Sequence, residues 1–220
     1  MGVDVGGRRK RFDAALVDGR RLVAVRSRQS VEDVVSWVRS ASPAVVAIDS
    51  PRSTAAPGTT HRPDERRLRA AVCGIRWTPP ANRLPGNRYY EWIIEGLRLY
   101  AALEREPVEV VECFPTASWT RWYGPRDGRR RAAWTGAALA ATDLVGVPSR
   151  TSQDARDAIA AALTARDYAR GCCEAFGEIV VPCRRQYELR GVSARALAPG
   201  QAGRATPSEL APRTFGVPFS

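Results

Sequence analysis

At 220 residues with 44% hydrophobic side chains, the chain can bury the core of one domain and carry a tail, which argues against an intrinsically disordered protein. It has no window of about 18 apolar residues and no charged N-terminal stretch leading into an apolar one, so neither a membrane span nor a signal peptide is expected and the protein is placed in the cytoplasm. The formal charge of +11 would suit a polyanion such as nucleic acid, but Lys10 is the single lysine among 34 lysines and arginines and alanine is abundant, a pattern that GC-rich coding bias also produces.

The five cysteines, Cys73, Cys113, Cys172, Cys173 and Cys183, are odd in number and lack C-x-x-C spacing. They argue against a disulfide framework and a zinc ribbon, and read as small buried hydrophobes.

In chain order, Gly2 to Val5 runs apolar into Gly6-Gly7, Phe12 to Val17 alternates up to the turn dipeptide Asp18-Gly19, and Leu22 to Val25 follows. These predict an opening antiparallel hairpin or meander. Ser30 caps a helix that places Val31, Val34, Val35 and Val38 on one face, and Ala44 to Ile48 is an unbroken apolar run, the pattern of a strand buried on both sides, ending at Asp49. Residues 50–60 read as a loop, and Pro63-Asp64-Glu65 as a helix start with acids at the positive end of its dipole.

Pro79 to Asn87 is a second loop, followed by a long amphipathic helix carrying Tyr89, Trp92, Ile93, Leu97, Tyr100 and Leu103, whose aromatics are expected in the core. Val108 to Phe114 reads as a strand broken by Pro115, with helical segments at Ala117 to Tyr123, Arg130 to Ala141 and Asp154 to Tyr168. Glu178 to Val181 is expected as an edge strand stopped by Pro182. The alternation of strands and helices after an opening hairpin predicts an α/β domain over 1–193, a mixed sheet with helices on both faces, and the Gly, Pro, Ala and Ser content beyond it predicts a flexible C-terminal tail over 194–220.

The candidate chemistry is acidic. Asp4 and Asp49 end apolar strands, Glu112 lies inside a third, and Asp154 and Asp157, three residues apart, share a helix face. A carboxylate beside a buried sheet costs several kcal/mol unless it meets cations or strong donors, so acids on neighbouring strands imply a shared metal, and oxygen-only ligands favour Mg²⁺ or Mn²⁺. Taken singly each acid has a plainer explanation, Asp49 shaping a turn and Asp154 capping a helix; their joint occurrence in this order points to a site.

The motifs G-V-D-V-G-G at 2–7, A-I-D-S-P at 47–51, V-E-C-F-P at 111–115 and D-A-R-D-A at 154–158 resemble those of the predicted-nuclease family called domain of unknown function 429, of the ribonuclease H-like superfamily. The resemblance spans Gly2 to about Pro182, and the order of acids is also similar to that of RuvC-type resolvases. It implies a ribonuclease H-like fold and a two-metal phosphodiesterase site. In that site Asp4 would bridge the ions, Asp49 or Glu112 would complete the set with one of Asp154 and Asp157, and two cations about 4 Å apart would activate water and stabilise the leaving oxygen.

His61 is the only histidine, which leaves little room for a zinc hydrolase or a histidine-dependent dyad; it reads as a surface residue of the loop after Asp49. Arg62, Arg66 and Arg69 are candidate phosphate-binding groups, with a solvated charged face as the plainer alternative. Arg126, Arg129, Arg130 and Arg131 suit a nucleic-acid backbone or an ordinary helix start, and Trp119, Trp122 and Trp134 read as core. Two other readings stay open: an actin-like nucleotide-binding phosphotransferase or ATPase, suggested by Asp4-Val5-Gly6-Gly7, and a noncatalytic scaffold that binds nucleic acid or protein.

Overall fold

A computed structural model describes residues 1–183. Within them β1 (Gly2–Asp4), β2 (Phe12–Asp18) and β3 (Arg21–Gln29) form the expected antiparallel meander, turning at Asp18-Gly19, where Gly19 takes a φ of 54°. The helix α1 (Val31–Ala41) starts where Ser30 Oγ accepts the Asp33 N–H and the Asp33 carboxylate accepts the Ser30 N–H, a reciprocal cap. Then come β4 (Val45–Asp49), α2 (Pro63–Ala71), α3 (Glu91–Leu103), β5 (Glu109–Cys113), α4 (Pro115–Tyr123), α5 (Arg131–Ala140), α6 (Gln153–Ala169), β6 (Cys173–Phe176) and β7 (Ile179–Pro182).

The described strands make one mixed sheet in the order β3-β2-β1-β4-β5-β7-β6. β1, β4, β5 and β7 run parallel, while β2, β3 and β6 pair antiparallel with their neighbours. The three-strand antiparallel start leads into parallel strands beyond β1, the mixed sheet that was expected, and the carboxyl ends of β1, β4 and β5 fall along one edge, where open α/β sheets place their ligands.

Helices cover both faces. α1 and α3 pack Val34, Val38, Leu99 and Leu103 against Val3, Val46 and Ile48, while α6 lies against Ala15, Ala47 and Val111 on the other face. The alternation within β4 buries both its sides. α6 can lie this close because its sheet side is alanine: a Cβ built on Gly2 would stand 1.9 Å from the Ala162 amide nitrogen, a distance between backbones that no side chain could fill. Trp119 and Trp134 are wholly buried behind it, and Trp122 nearly so, as core residues.

Three expectations are corrected. Glu178 to Val181 was expected at the edge, but β7 lies between β5 and β6, and β6 is the edge strand; its exposed Glu174 and Ala175 give it no apolar pattern to read. Tyr89 precedes α3 in a short 3₁₀ turn and is 55% exposed, not core. Of the cysteines only Cys113 is buried, Cys183 being exposed and the other three half-buried. The tail expected over 194–220 lies outside the described residues, as does the domain limit at 193. Among the described residues no helix is long and apolar enough to cross a membrane.

Candidate functional site

The carboxyl ends of β1, β4 and β5 open into a cleft of about 760 Å³ lined by Asp4, Asp49, Glu112, Asp154 and Asp157 together. Register explains how they meet. Asp4 lies beside Asp49 across the parallel pair β1·β4, and beside Asp13 across β1·β2. Neighbouring strands are about 4.8 Å apart, so two in-register acids on one face repel strongly unless a cation lies between them.

Glu112 belongs to the other side of the strands. It aligns with Ile48, whose partner on β1 is Val3, so the two-residue period turns it to the opposite face from Asp4 and Asp49. There it is held bidentately by Arg62, with the Arg52 N–H donating to Oε2 at 2.8 Å. Arg62 also donates to Glu65 and Glu178 at 3.2 Å, and Glu65 accepts from the Thr78 N–H and hydroxyl. This buried network fastens the start of α2 to β5 and directs three donors onto the two oxygens of Glu112.

α6 supplies the remaining acids from its first two turns, after Ser152 caps it by accepting the Ala155 N–H. Asp157 accepts from Arg131 at 2.9 Å and from the Gln153 amide at 3.1 Å. The Gln153 oxygen in turn accepts from Thr135 and Arg156, which fixes the direction of its NH₂ group. Asp154 accepts from Lys10 Nζ at 2.7 Å, and the same ammonium lies 4.0 Å from Asp4. Asp49 has no hydrogen-bond or ion-pair partner among the described residues, and beside it Gly96 lets α3 close on Ser50, whose carbonyl accepts from Tyr100 at 2.9 Å.

The electrostatics follow. Burial, then the charge of Asp157, push Asp4 up to about 7, with Lys10 pulling the other way. Asp49 is raised well above the carboxylate range by desolvation and by Asp4 and Asp157. Burial also raises Asp157, against the pull of Arg131 and Gln153.

The donors here are hard oxygens, Asp49 with no hydrogen-bond or ion-pair partner among the described residues and Asp4 with only the Lys10 ammonium at 4.0 Å, so in chemistry they fit Mg²⁺ or Mn²⁺. Among the described residues no three His, Cys, Asp or Glu side chains close on one point, the α6 acids being held by Lys10 and Arg131.

Of the three expected phosphate-binding arginines, Arg69 lines the cleft, its guanidinium 5.0 Å above the Trp77 ring. Arg62 is buried in the Glu112 network, and Arg66 is exposed on α2 away from the cleft lining. His61 stacks on Trp77 at 4.7 Å. The cleft residues that sequence reasoning missed are Lys10, Arg131 in its pairing with Asp157, and Gln153. Only Lys10 left a signal, its uniqueness.

No family model matches the sequence, and a search of curated proteins finds no match. Among solved structures, that of RuvC from Thermus thermophilus is similar at 18% identity, over 77% of this chain and 94% of that one, with a TM-score of 0.37.

Proposed function

We propose that the chain is a cytoplasmic nuclease that hydrolyses phosphodiester bonds with Mg²⁺ or Mn²⁺ held at the acidic cleft. The observation that carries this reading is the in-register pair Asp4 and Asp49, two carboxylates of raised pKa on one face of the sheet with Asp157 against them. The motifs shared with domain of unknown function 429 support it as a resemblance.

In this reading Asp4, with Asp49 beside it on β4 and the α6 acids close by, would be the central residue holding the metal. Glu112 serves as the anchor that holds Arg62 and the start of α2. A bound divalent ion would supply charge neutralisation, a more acidic water and stabilisation of the leaving oxygen. The residues do the rest. Asp4 would hold the ion as its carboxylate, Gln153 and Arg131 orient the Asp157 carboxylate, and Arg69, Arg76 and Arg126 on the cleft wall offer their guanidinium groups to substrate phosphates.

The test is calorimetric titration of Mg²⁺ and Mn²⁺ into the wild type and Asp4→Asn, with cleavage of labelled DNA and RNA followed in parallel. Binding and cleavage in the wild type, both lost in Asp4→Asn, are expected. Metal binding without cleavage of either polymer would move the reading to another phosphate substrate, and well-folded protein showing neither would leave a scaffold.

A further inference from the structure

We propose that Lys10 is the resident cation of this cleft, lying across Asp4 and Asp154 until a divalent ion displaces its ammonium. The inference rests on the reading of the cleft as a metal site, and goes beyond it by assigning the ion a competitor within the chain.

The local backbone is shaped to bring Lys10 there. After β1 the chain turns back on itself, with the Lys10 and Arg11 N–H groups both donating to the Gly7 carbonyl at 3.0 and 2.8 Å. Gly6 permits the return: a Cβ there would stand 2.2 Å from the Arg11 carbonyl oxygen and 3.0 Å from the Lys10 Cβ. Arg11 takes a φ of 62° to leave the turn. Gly6, with the Gly7 carbonyl closing the turn, therefore serves a reversal that lays residue 10 over the acid at residue 4.

The residue type adds an independent argument. Every other member of the 34 lysines and arginines is arginine, so a compositional pressure that replaces lysine elsewhere has left one at the acidic centre. A guanidinium there would be a flat five-donor fork that locks onto a carboxylate; an ammonium is a compact point charge closer in shape to a metal ion, and it leaves more readily on a flexible stem. The ammonium donates to Asp154 at 2.7 Å and lies 4.0 Å from Asp4, so one charge serves both acids. With a side chain 56% exposed, Lys10 has room to swing off the acids into the open cleft.

Mn²⁺ binding measured by calorimetry in the wild type, Lys10→Met and Lys10→Arg tests the exchange without using activity. Lys10→Met, which keeps the stem and removes the charge, is expected to bind Mn²⁺ roughly tenfold more tightly, and Lys10→Arg to show no gain. On the unaltered protein, acetylation by an N-hydroxysuccinimide ester, located by mass spectrometry, reports the ammonium directly. Lys10 should label faster with Mn²⁺ present than in the same protein without it. Equal or weaker Mn²⁺ binding in Lys10→Met, or labelling of Lys10 indifferent to Mn²⁺, would overturn the exchange and leave the metal site standing. Failure of all three proteins to bind Mn²⁺ would overturn both.

Discussion

Asp4 is an acid whose ordinary pKa of 3.8 rises to about 7 in the folded chain, and the sign of its contribution to stability follows. Below the ordinary value both folded and unfolded forms hold the proton and nothing is lost. As pH rises the unfolded chain ionises first, so the ion-free protein loses stability until the folded pKa is passed, by up to about 4 kcal/mol. Asp4→Asn should therefore gain stability relative to the wild type as pH rises from about 4 to about 7 in urea denaturation; a constant difference would mean that the acid is not held against its charge. Arg62 shows the opposite case, a buried cation satisfied by Glu65 and Glu112. Arg62→Met leaves two buried carboxylates without their partner and should cost about 3–5 kcal/mol, read as a fall in melting temperature. Asp4 and Glu112 were both visible as strand-borne charges, but the face each one takes was not. That Glu112 turns away from Asp4 depends on its alignment with Ile48, a pairing between distant segments that no local spacing encodes.

Among the elements, the turn from β1 to β2 and the contact of β1 with α6 are set by glycines with neighbours too close for a Cβ. Gly6→Ala should displace residues 7–11, lowering stability by roughly 1–3 kcal/mol in chemical denaturation, and a crystal structure of the variant should show the Lys10 ammonium drawn away from Asp154. Helix starts were legible because caps are local: Ser30 before α1 and Pro63 opening α2 both fall where the sequence puts them. The β6 and β7 pair was half legible. Ile179 to Val181 is an apolar run, but its position inside the sheet depends on β6, whose outward Glu174 and Ala175 look like loop. Tyr89 was misplaced because its spacing with Trp92 and Ile93 continues a helical pattern that the chain enters only at Glu91.

For the whole molecule, the fold was the most legible level, since the order of strands and helices constrains the sheet even where the ends of elements shift. The charge of +11 belongs to this scale too. If it serves substrate binding, affinity for a labelled oligonucleotide measured with Asp4→Asn by fluorescence anisotropy should fall by roughly a thousandfold between about 50 and 200 mM salt. A flat salt response would make the arginines a by-product of coding. The helix α6, buried on nearly every side and pressed against Gly2, has a consequence for mutational tolerance. In a saturation scan, Ala158, Ala161 and Ala162 should be as intolerant as the acids although none of them touches the chemistry. The two kinds of intolerance differ in what they refuse. The alanines reject size and accept serine or glycine more readily than valine, whereas the acids reject loss of charge at nearly constant size, so the pattern of accepted residues, and not the depth of depletion, would mark out the working groups of this cleft.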